Sequence, residues 1–137
     1  MTVTLGPTSH TYFSQRLRLH YTDWGNPDAP PMILIHGGRD HCRNWDWVAE
    51  HLRHDYHIIA PDLRGHGDSE WSAEGAYETR DFASDLVAIA SKMDRKPALV
   101  GASLGGLAGL IAEGHLAPGR FASLTLVDIA PRMETGG

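Results

Sequence analysis

The chain has 137 residues, 42% of them hydrophobic, with 12 lysines and arginines against 17 aspartates and glutamates. This size and composition are typical of one globular domain, which we expect to span residues 1–137. A formal net charge of −5 with no cluster of basic residues argues against nucleic-acid binding, and no apolar stretch reaches the ~20 residues of a membrane-spanning helix, so we expect neither kind of partner.

Strand and helix patterns alternate along the chain. Residues 16–21 alternate polar and apolar side chains, which predicts a half-buried strand. Residues 32–35 form a continuous apolar run, typical of a strand buried on both faces. Asn44 is predicted to cap a first helix. The remaining predicted elements are strands at 56–60, 98–100 and 124–127 and helices at 79–93 and 104–113. This order predicts an α/β fold, a mostly parallel sheet with helices on both faces.

The pattern G-x-S-x-G occupies residues 101–105, between a predicted strand and a predicted helix. A sharp turn there would lift Ser103 above the sheet, and the helix that follows would direct backbone amides at an anion forming near the serine hydroxyl. The alternative interpretation is that these glycines serve only close packing. Neither the Rossmann nor the P-loop nucleotide fingerprint fits the sequence, so we expect no nucleotide cofactor.

A second glycine pair follows the predicted strand at residues 32–35. An amide of this loop would face Ser103 if the two strands are neighbours. Gly38 and Leu104 are therefore the candidate donors of an oxyanion hole, which stabilises the tetrahedral intermediate of acyl transfer. The other interpretation of the glycine pair is a tight turn at the end of the strand.

Four motifs together resemble the N-terminal portion of the α/β-hydrolases, over residues 16–131 of this chain. The motifs, in family order, are IHGG at 35–38, DLRGHGDS at 62–69, GASLGG at 101–106 and VDIAP at 127–131. The resemblance implies an incomplete α/β-hydrolase fold with strands one to six. It also implies that Ser103 is the nucleophile, that the amides of Gly38 and Leu104 form the oxyanion hole, and that residues 64–69 are a structural turn.

The resemblance narrows the chemistry but leaves the substrate open. A serine at the nucleophile position disfavours the epoxide hydrolase and haloalkane dehalogenase branches of the family. Cleavage of an ester, thioester, lactone or carbon–carbon bond in a small molecule remains. The rival hypotheses are a non-catalytic module that pairs through its sheet edge and a gene fragment without function.

A catalytic base for the serine is missing from the pattern. The family places its acid and then its histidine after the nucleophile, and His115 is the single histidine after Ser103. Eleven helical residues would carry His115 about 16 Å away, so we interpret it as a surface residue. Asp128 is either the catalytic acid or an anchor for the following loop, and His36 and His66 favour packing roles. We therefore expect the isolated chain to be inactive or barely active, with the base supplied from beyond residue 137.

Three further expectations concern metals, compartment and association. Cys42 is the single cysteine, so neither a disulfide nor a paired-thiolate zinc site is expected. Histidines recur every three residues at His51, His54 and His57, but a strand begins among them, and we expect exposed side chains and no metal. The N-terminus lacks a secretory pattern, which favours the cytoplasm. A bare apolar sheet edge predicts self-association or binding of a C-terminal complement.

Overall fold

Residues 6–127, which the computed structural model describes, form a six-stranded sheet with helices packed against it. The strands are β1 (Thr8–Ser14), β2 (Leu17–Asp23), β3 (Pro31–Ile35), β4 (His57–Pro61), β5 (Ala98–Ala102) and β6 (Ser123–Val127). The α-helices are α1 (Asp46–Leu52), α2 (Thr79–Ala90) and α3 (Leu104–Ile111); a 3₁₀ turn (Cys42–Trp45) precedes α1 and a π turn (Ala112–Leu116) follows α3. Among these residues no helix is both long and apolar enough to cross a membrane.

The strand order is β1-β2-β4-β3-β5-β6. β1, β2 and β4 pair antiparallel in that order, whereas β3 pairs in parallel with β4 and β5, and β5 pairs in parallel with β6. The carboxyl ends of β3, β4 and β5 therefore meet at one edge of the sheet. The mostly parallel sheet predicted from the alternation of elements is confirmed.

The hydrophobic core lies on both faces of the sheet, because successive side chains of a strand point to opposite faces. Ile33 and Ile35 of β3 pack in one buried cluster with Leu86 of α2. Leu34, between them, packs in a second cluster with Ala49 of α1. Helices thus cover both faces, as predicted.

The first hairpin differs from the sequence-based expectation. The strand predicted at residues 16–21 is β2, and Arg16 lies in the preceding turn, where Gln15 and Arg16 have φ angles of 49° and 68°. β1 was not predicted, because its sequence is largely polar and only Tyr12 and Ser14 are buried. It forms because every one of its residues pairs with β2. Tertiary pairing, not its own pattern, makes β1 a strand.

The predicted cap at Asn44 is wrong. Asn44 lies inside the 3₁₀ turn, and α1 begins at Asp46 with Trp45 in the capping position. The Asn44 amide instead donates a hydrogen bond to the carboxylate of Asp40. The side chain thus ties the turn to the preceding loop and leaves the helix start uncapped by any side chain.

Apolar side chains are exposed around β6. Within residues 6–127, β6 pairs only with β5. Leu126 and Val127 at its end are 40% and 38% exposed, and Leu107 and Leu110 of the adjoining α3 are 37% and 43% exposed. These four exposed residues are together called the β6 patch below; Leu126 and Val127, as neighbours in a strand, point to opposite faces of the sheet. Single exposed apolar residues are ordinary, but a patch that adjoins an unpaired strand edge is a potential interface.

Candidate functional site

Ser103 occupies a strained turn between β5 and α3. Its φ angle is 51° and its ψ angle −114°, a combination that a residue with a side chain adopts only at a cost of about 1–3 kcal/mol. The side chain is partly exposed, and among residues 6–127 no group makes a hydrogen bond to its Oγ. The predicted sharp turn at the G-x-S-x-G pattern is therefore present, with the hydroxyl at its apex.

The two glycines of the pattern permit this turn through close packing. A Cβ at Gly101 would lie 2.6 Å from the backbone nitrogen of Gly106, which is closer than real Cβ atoms approach. A Cβ at Gly105 would lie 2.7 Å from the carbonyl oxygen of His36. The packing interpretation and the functional one are thus compatible, since the close packing is what brings the end of β3 against Ser103.

The glycine pair after β3 lies beside the serine. A Cβ at Gly37 would lie 3.3 Å from the Cβ of Ser103 and 3.9 Å from its Oγ, and one at Gly38 would lie 3.8 Å from a methyl carbon of Leu104. Within residues 6–127 the amides of Gly38 and Leu104 donate no hydrogen bond. The amide of Ser103 itself donates to the carbonyl of Val127 at 3.2 Å. The amide of Leu104 thus directly follows the serine in the chain, the amide of Gly38 follows the glycine that contacts the serine, and neither is committed to another hydrogen bond among the described residues.

His36 is a positioning group for this loop and remains uncharged. Its Nε2 accepts a hydrogen bond from the amide of Leu63 at 3.0 Å, so its proton is on Nδ1, 2.6 Å from the carbonyl oxygen of Gly37. Burial lowers the pKa of His36, although the hydrogen bond to Gly37 opposes that shift. Both ring nitrogens are committed to the backbone. The ring fixes Gly37 and is not available as a base.

The other histidines near the site do not reach Ser103. His66 places Nδ1 2.9 Å from the carbonyl oxygen of Arg64, and its ring lies 5.1 Å from that of His36. His115 is exposed in the π turn beyond α3, as predicted. Asp128, the candidate acid, lies outside the described residues.

The loop at residues 62–69 is built around the buried carboxylate of Asp62. Its oxygens accept hydrogen bonds from the amides of Cys42 at 2.7 Å and Asp68 at 3.0 Å, and Nδ1 of His20 lies 2.7 Å away. Burial alone would raise the pKa of Asp62, but the hydrogen bonds outweigh the effect of burial. The pKa of Asp62 therefore lies below its ordinary value. A Cβ at Gly67 would overlap this carboxylate. The loop is a hydrogen-bonded turn, in line with the structural role that the resemblance implied.

Three residues in this region could offer ligands to a metal ion. The ligand atoms of His20, Cys42 and Asp62 are buried and lie within 4.8 Å of one another. Burial raises the pKa of the Cys42 thiol to about 12, and the His20 ring is already hydrogen-bonded to Asp62. A metal would have to displace the thiol proton and break that hydrogen bond. Sequence spacing does not reveal this cluster, because its members come from three separate segments of the chain.

The three regularly spaced histidines do not converge. His51 places Nδ1 2.7 Å from the carbonyl oxygen of Trp47 in α1, and His54 is exposed. His57 is half-buried in β4 and pairs with Asp23 at 3.0 Å, which corrects the expectation that all three are exposed.

Comparison with known proteins accounts for this arrangement of strand, serine turn and glycine loop. The sequence model of the alpha/beta hydrolase fold matches residues 30–136. The chain belongs to the α/β-hydrolase family. The resemblance to the α/β-hydrolases and the expected α/β fold are thereby confirmed.

Relatives within the α/β-hydrolases carry different activities. The 3-hydroxybutyrate-oligomer hydrolase of Cupriavidus necator is 35% identical over 85% of this chain and 40% of the relative. A non-heme chloroperoxidase of Streptomyces lividans is 34% identical over 86% of this chain and 43% of the relative. The crystal structure of a membrane phospholipase A, described as a bacterial virulence factor, has a TM-score of 0.85 at 29% identity, over 96% of this chain and 43% of that one. The chain thus spans about two fifths of these relatives, and family membership alone does not set its substrate.

Proposed function

We propose that this chain supplies the nucleophile and the oxyanion hole of an α/β-hydrolase that cleaves a small ester, thioester or lactone through an acyl-enzyme. The observation that carries the proposal is the strained Ser103 beside the uncommitted amides of Gly38 and Leu104. Strain of this kind persists only where surrounding contacts enforce it, and it is concentrated at functional sites. The esterase and lipase names among the relatives support the same chemistry.

The geometry suggests a role for each group. Oγ of Ser103 attacks the substrate carbonyl carbon, and its proton passes to a base. The amides of Gly38 and Leu104 donate to the oxygen that becomes negative in the tetrahedral intermediate; one such donor contributes about 3 kcal/mol to the transition state in related chemistry. The intermediate then expels the alcohol or thiol, which takes the proton, and water releases the acyl group by the reverse sequence.

The base and its orienting acid come, in this proposal, from a C-terminal segment that docks on the β6 patch. No histidine among the described residues is bonded to Ser103, and a serine hydroxyl is a weak nucleophile without a base. The exposed residues of the β6 patch would be covered by an apolar segment that adds a strand beyond β6. The Ser103 site of the chain by itself is then barely active.

Covalent labelling tests the proposal. The chain is fused to the part of the Cupriavidus necator hydrolase that follows the matched region, and the folded fusion is treated with a fluorophosphonate. We expect label at Ser103, located and quantified by peptide mass mapping, and much slower labelling of Ser103 in the unfused chain. The exposed Ser91, which only donates to a helix carbonyl, is the internal control. A folded fusion without label at Ser103 would contradict the proposal and favour the non-catalytic module.

A further inference from the structure

A second serine, far from Ser103 in the sheet, is joined to a histidine and an aspartate. Oγ of Ser9 in β1 lies 3.0 Å from Nε2 of His20 in β2. Nδ1 of the same ring lies 2.7 Å from Oδ2 of Asp62. These are the atom pairings of a serine–histidine–aspartate triad. β1 and β5 are separated by three strands, or about 19 Å across the sheet, so this group is distinct from the Ser103 site.

The positions of the protons follow from the partners. Asp62 is ionised and therefore only accepts hydrogen bonds, which places the His20 proton on Nδ1. Nε2 of the neutral form of the ring is an acceptor, to which the hydroxyl of Ser9 can donate at the observed distance of 3.0 Å. Two backbone amides hold the carboxylate in place, and His20 is 7% exposed whereas Ser9 is open to solvent. The buried imidazole of His20 thus contacts the solvent-accessible hydroxyl of Ser9.

The surface beside Ser9 has room for a small substrate. Ser9 and His20 line one pocket of about 300 Å³ together with Arg43 and Asp68, and a second of about 470 Å³ together with Lys92. The polar lining of the first pocket favours short, polar acyl groups over long alkyl chains. The guanidinium of Arg43 at this pocket is paired with Asp46 at 2.8 Å, and the carboxylates of Asp62 and Asp68 also line the pocket.

We propose that Ser9 is a second activated hydroxyl of this chain, which His20 and Asp62 render reactive toward small activated esters. Oγ of Ser9 attacks the carbonyl carbon while its proton moves to Nε2 of His20. The bond to the leaving alcohol then breaks, and the alcohol takes that proton. Water hydrolyses the acyl-Ser9 in the same way, which restores the hydroxyl and the neutral ring. The step needs no other reactant, and it does not depend on Ser103.

The test uses the full chain with Ser103→Ala, so that its result is separate from that of the proposed function. Diisopropyl fluorophosphate is the probe, since its phosphorus forms a bond to Oγ as fluoride leaves, and the modified peptides are quantified by mass spectrometry. We expect Ser9 to react at least about tenfold faster than Ser91. His20→Gln is expected to slow Ser9 by about 10²-fold, the contribution of a general base, without changing Ser91.

His57→Gln is the matched control, because His57 also pairs with a carboxylate, Asp23, at 3.0 Å but its pairing includes no serine. It should leave the Ser9 rate unchanged. Equal rates at Ser9 and Ser91 would overturn the proposal without any further variant, as would an unchanged Ser9 rate in a folded His20→Gln chain. In either case the hydrogen bond from Ser9 serves only to hold the hairpin.

Discussion

Ser103→Gly is expected to eliminate the Ser103-dependent ester hydrolysis of the fusion described above while stabilising its fold; His20→Gln is present in every protein compared, so that Ser9 does not contribute to turnover. Removal of the hydroxyl eliminates the nucleophile, and loss of a triad serine lowers kcat on the order of 10⁶-fold. Glycine adopts the φ angle of 51° at position 103 without steric cost. Relief of the backbone strain stabilises the folded state by about 1–3 kcal/mol. Glycine also loses more conformational entropy on folding, so we expect the free energy of unfolding to rise by about 1 kcal/mol.

Ser103→Ala separates the two effects. Alanine also lacks the hydroxyl, so activity should fall as far as in Ser103→Gly. Its Cβ keeps the strain at the positive φ angle, so the free energy of unfolding should stay near that of the parent. Turnover of 4-nitrophenyl acetate and urea unfolding measure the two quantities. A Ser103→Gly protein that hydrolyses the ester normally, or that is less stable than Ser103→Ala, would show that the turn is not held strained for the sake of the hydroxyl.

Asp85→Ala is expected to destabilise the fold by about 3–5 kcal/mol, because it leaves the charge of Arg64 buried without its partner. The two side chains are 0% and 1% exposed, with Nε and an Nη of Arg64 at 2.8 and 2.6 Å from the carboxylate oxygens. Hydrogen bonding to Asp85 raises the pKa of Arg64 in the parent protein. An arginine side chain stays protonated even without such a partner, so the variant cannot lose the charge by deprotonation. A loss of this size is a large fraction of the stability of a small domain.

The exposed pair Arg43–Asp46 is the matched control. Its side chains are 53% and 32% exposed, and Asp46→Ala should cost no more than about 1 kcal/mol. Replacing both buried partners, as Arg64→Met with Asp85→Leu, should recover much of the loss, since no unpaired charge remains. Urea unfolding measures all three variants. An Asp85→Ala cost below that of Asp46→Ala would refute the buried-pair interpretation.

The buried ion pair of Arg64 and Asp85 is also linked to the candidate site through a chain of hydrogen bonds. The loop that Arg64 anchors to α2 also carries Leu63, whose amide donates to His36. His36 in turn holds the carbonyl of Gly37, which lies beside Ser103. The buried ion pair therefore helps to position the glycine loop, although it does not touch the serine.

The parts of the fold that short sequence patterns encode were predictable. The apolar runs of β3 and the G-x-S-x-G turn are local features, so the parallel strands and the position of Ser103 follow from a few neighbouring residues. β1 was missed because its polar sequence becomes a strand only through pairing with β2. Asn44 was assigned to a helix cap because nothing in the sequence shows that Asp40 competes for its amide.

The contacts between distant residues were not predictable from the sequence. His20 and Asp62 are 42 residues apart, and Ser9 joins them only because the hairpin lies antiparallel to the end of β4. A single sequence shows neither that pairing nor its register. The buried pair of Arg64 and Asp85, 21 residues apart, was missed for the same reason.

The crystal structure of the fluorophosphonate-labelled fusion tests the role of Ser103 most directly. We expect phosphorus bonded to Oγ of Ser103 and one phosphonyl oxygen within about 3 Å of the backbone nitrogens of both Gly38 and Leu104, the geometry of an oxyanion hole. A phosphonyl oxygen that points to solvent, with neither amide in reach, would contradict the assignment of these two donors and of the chemistry that depends on them.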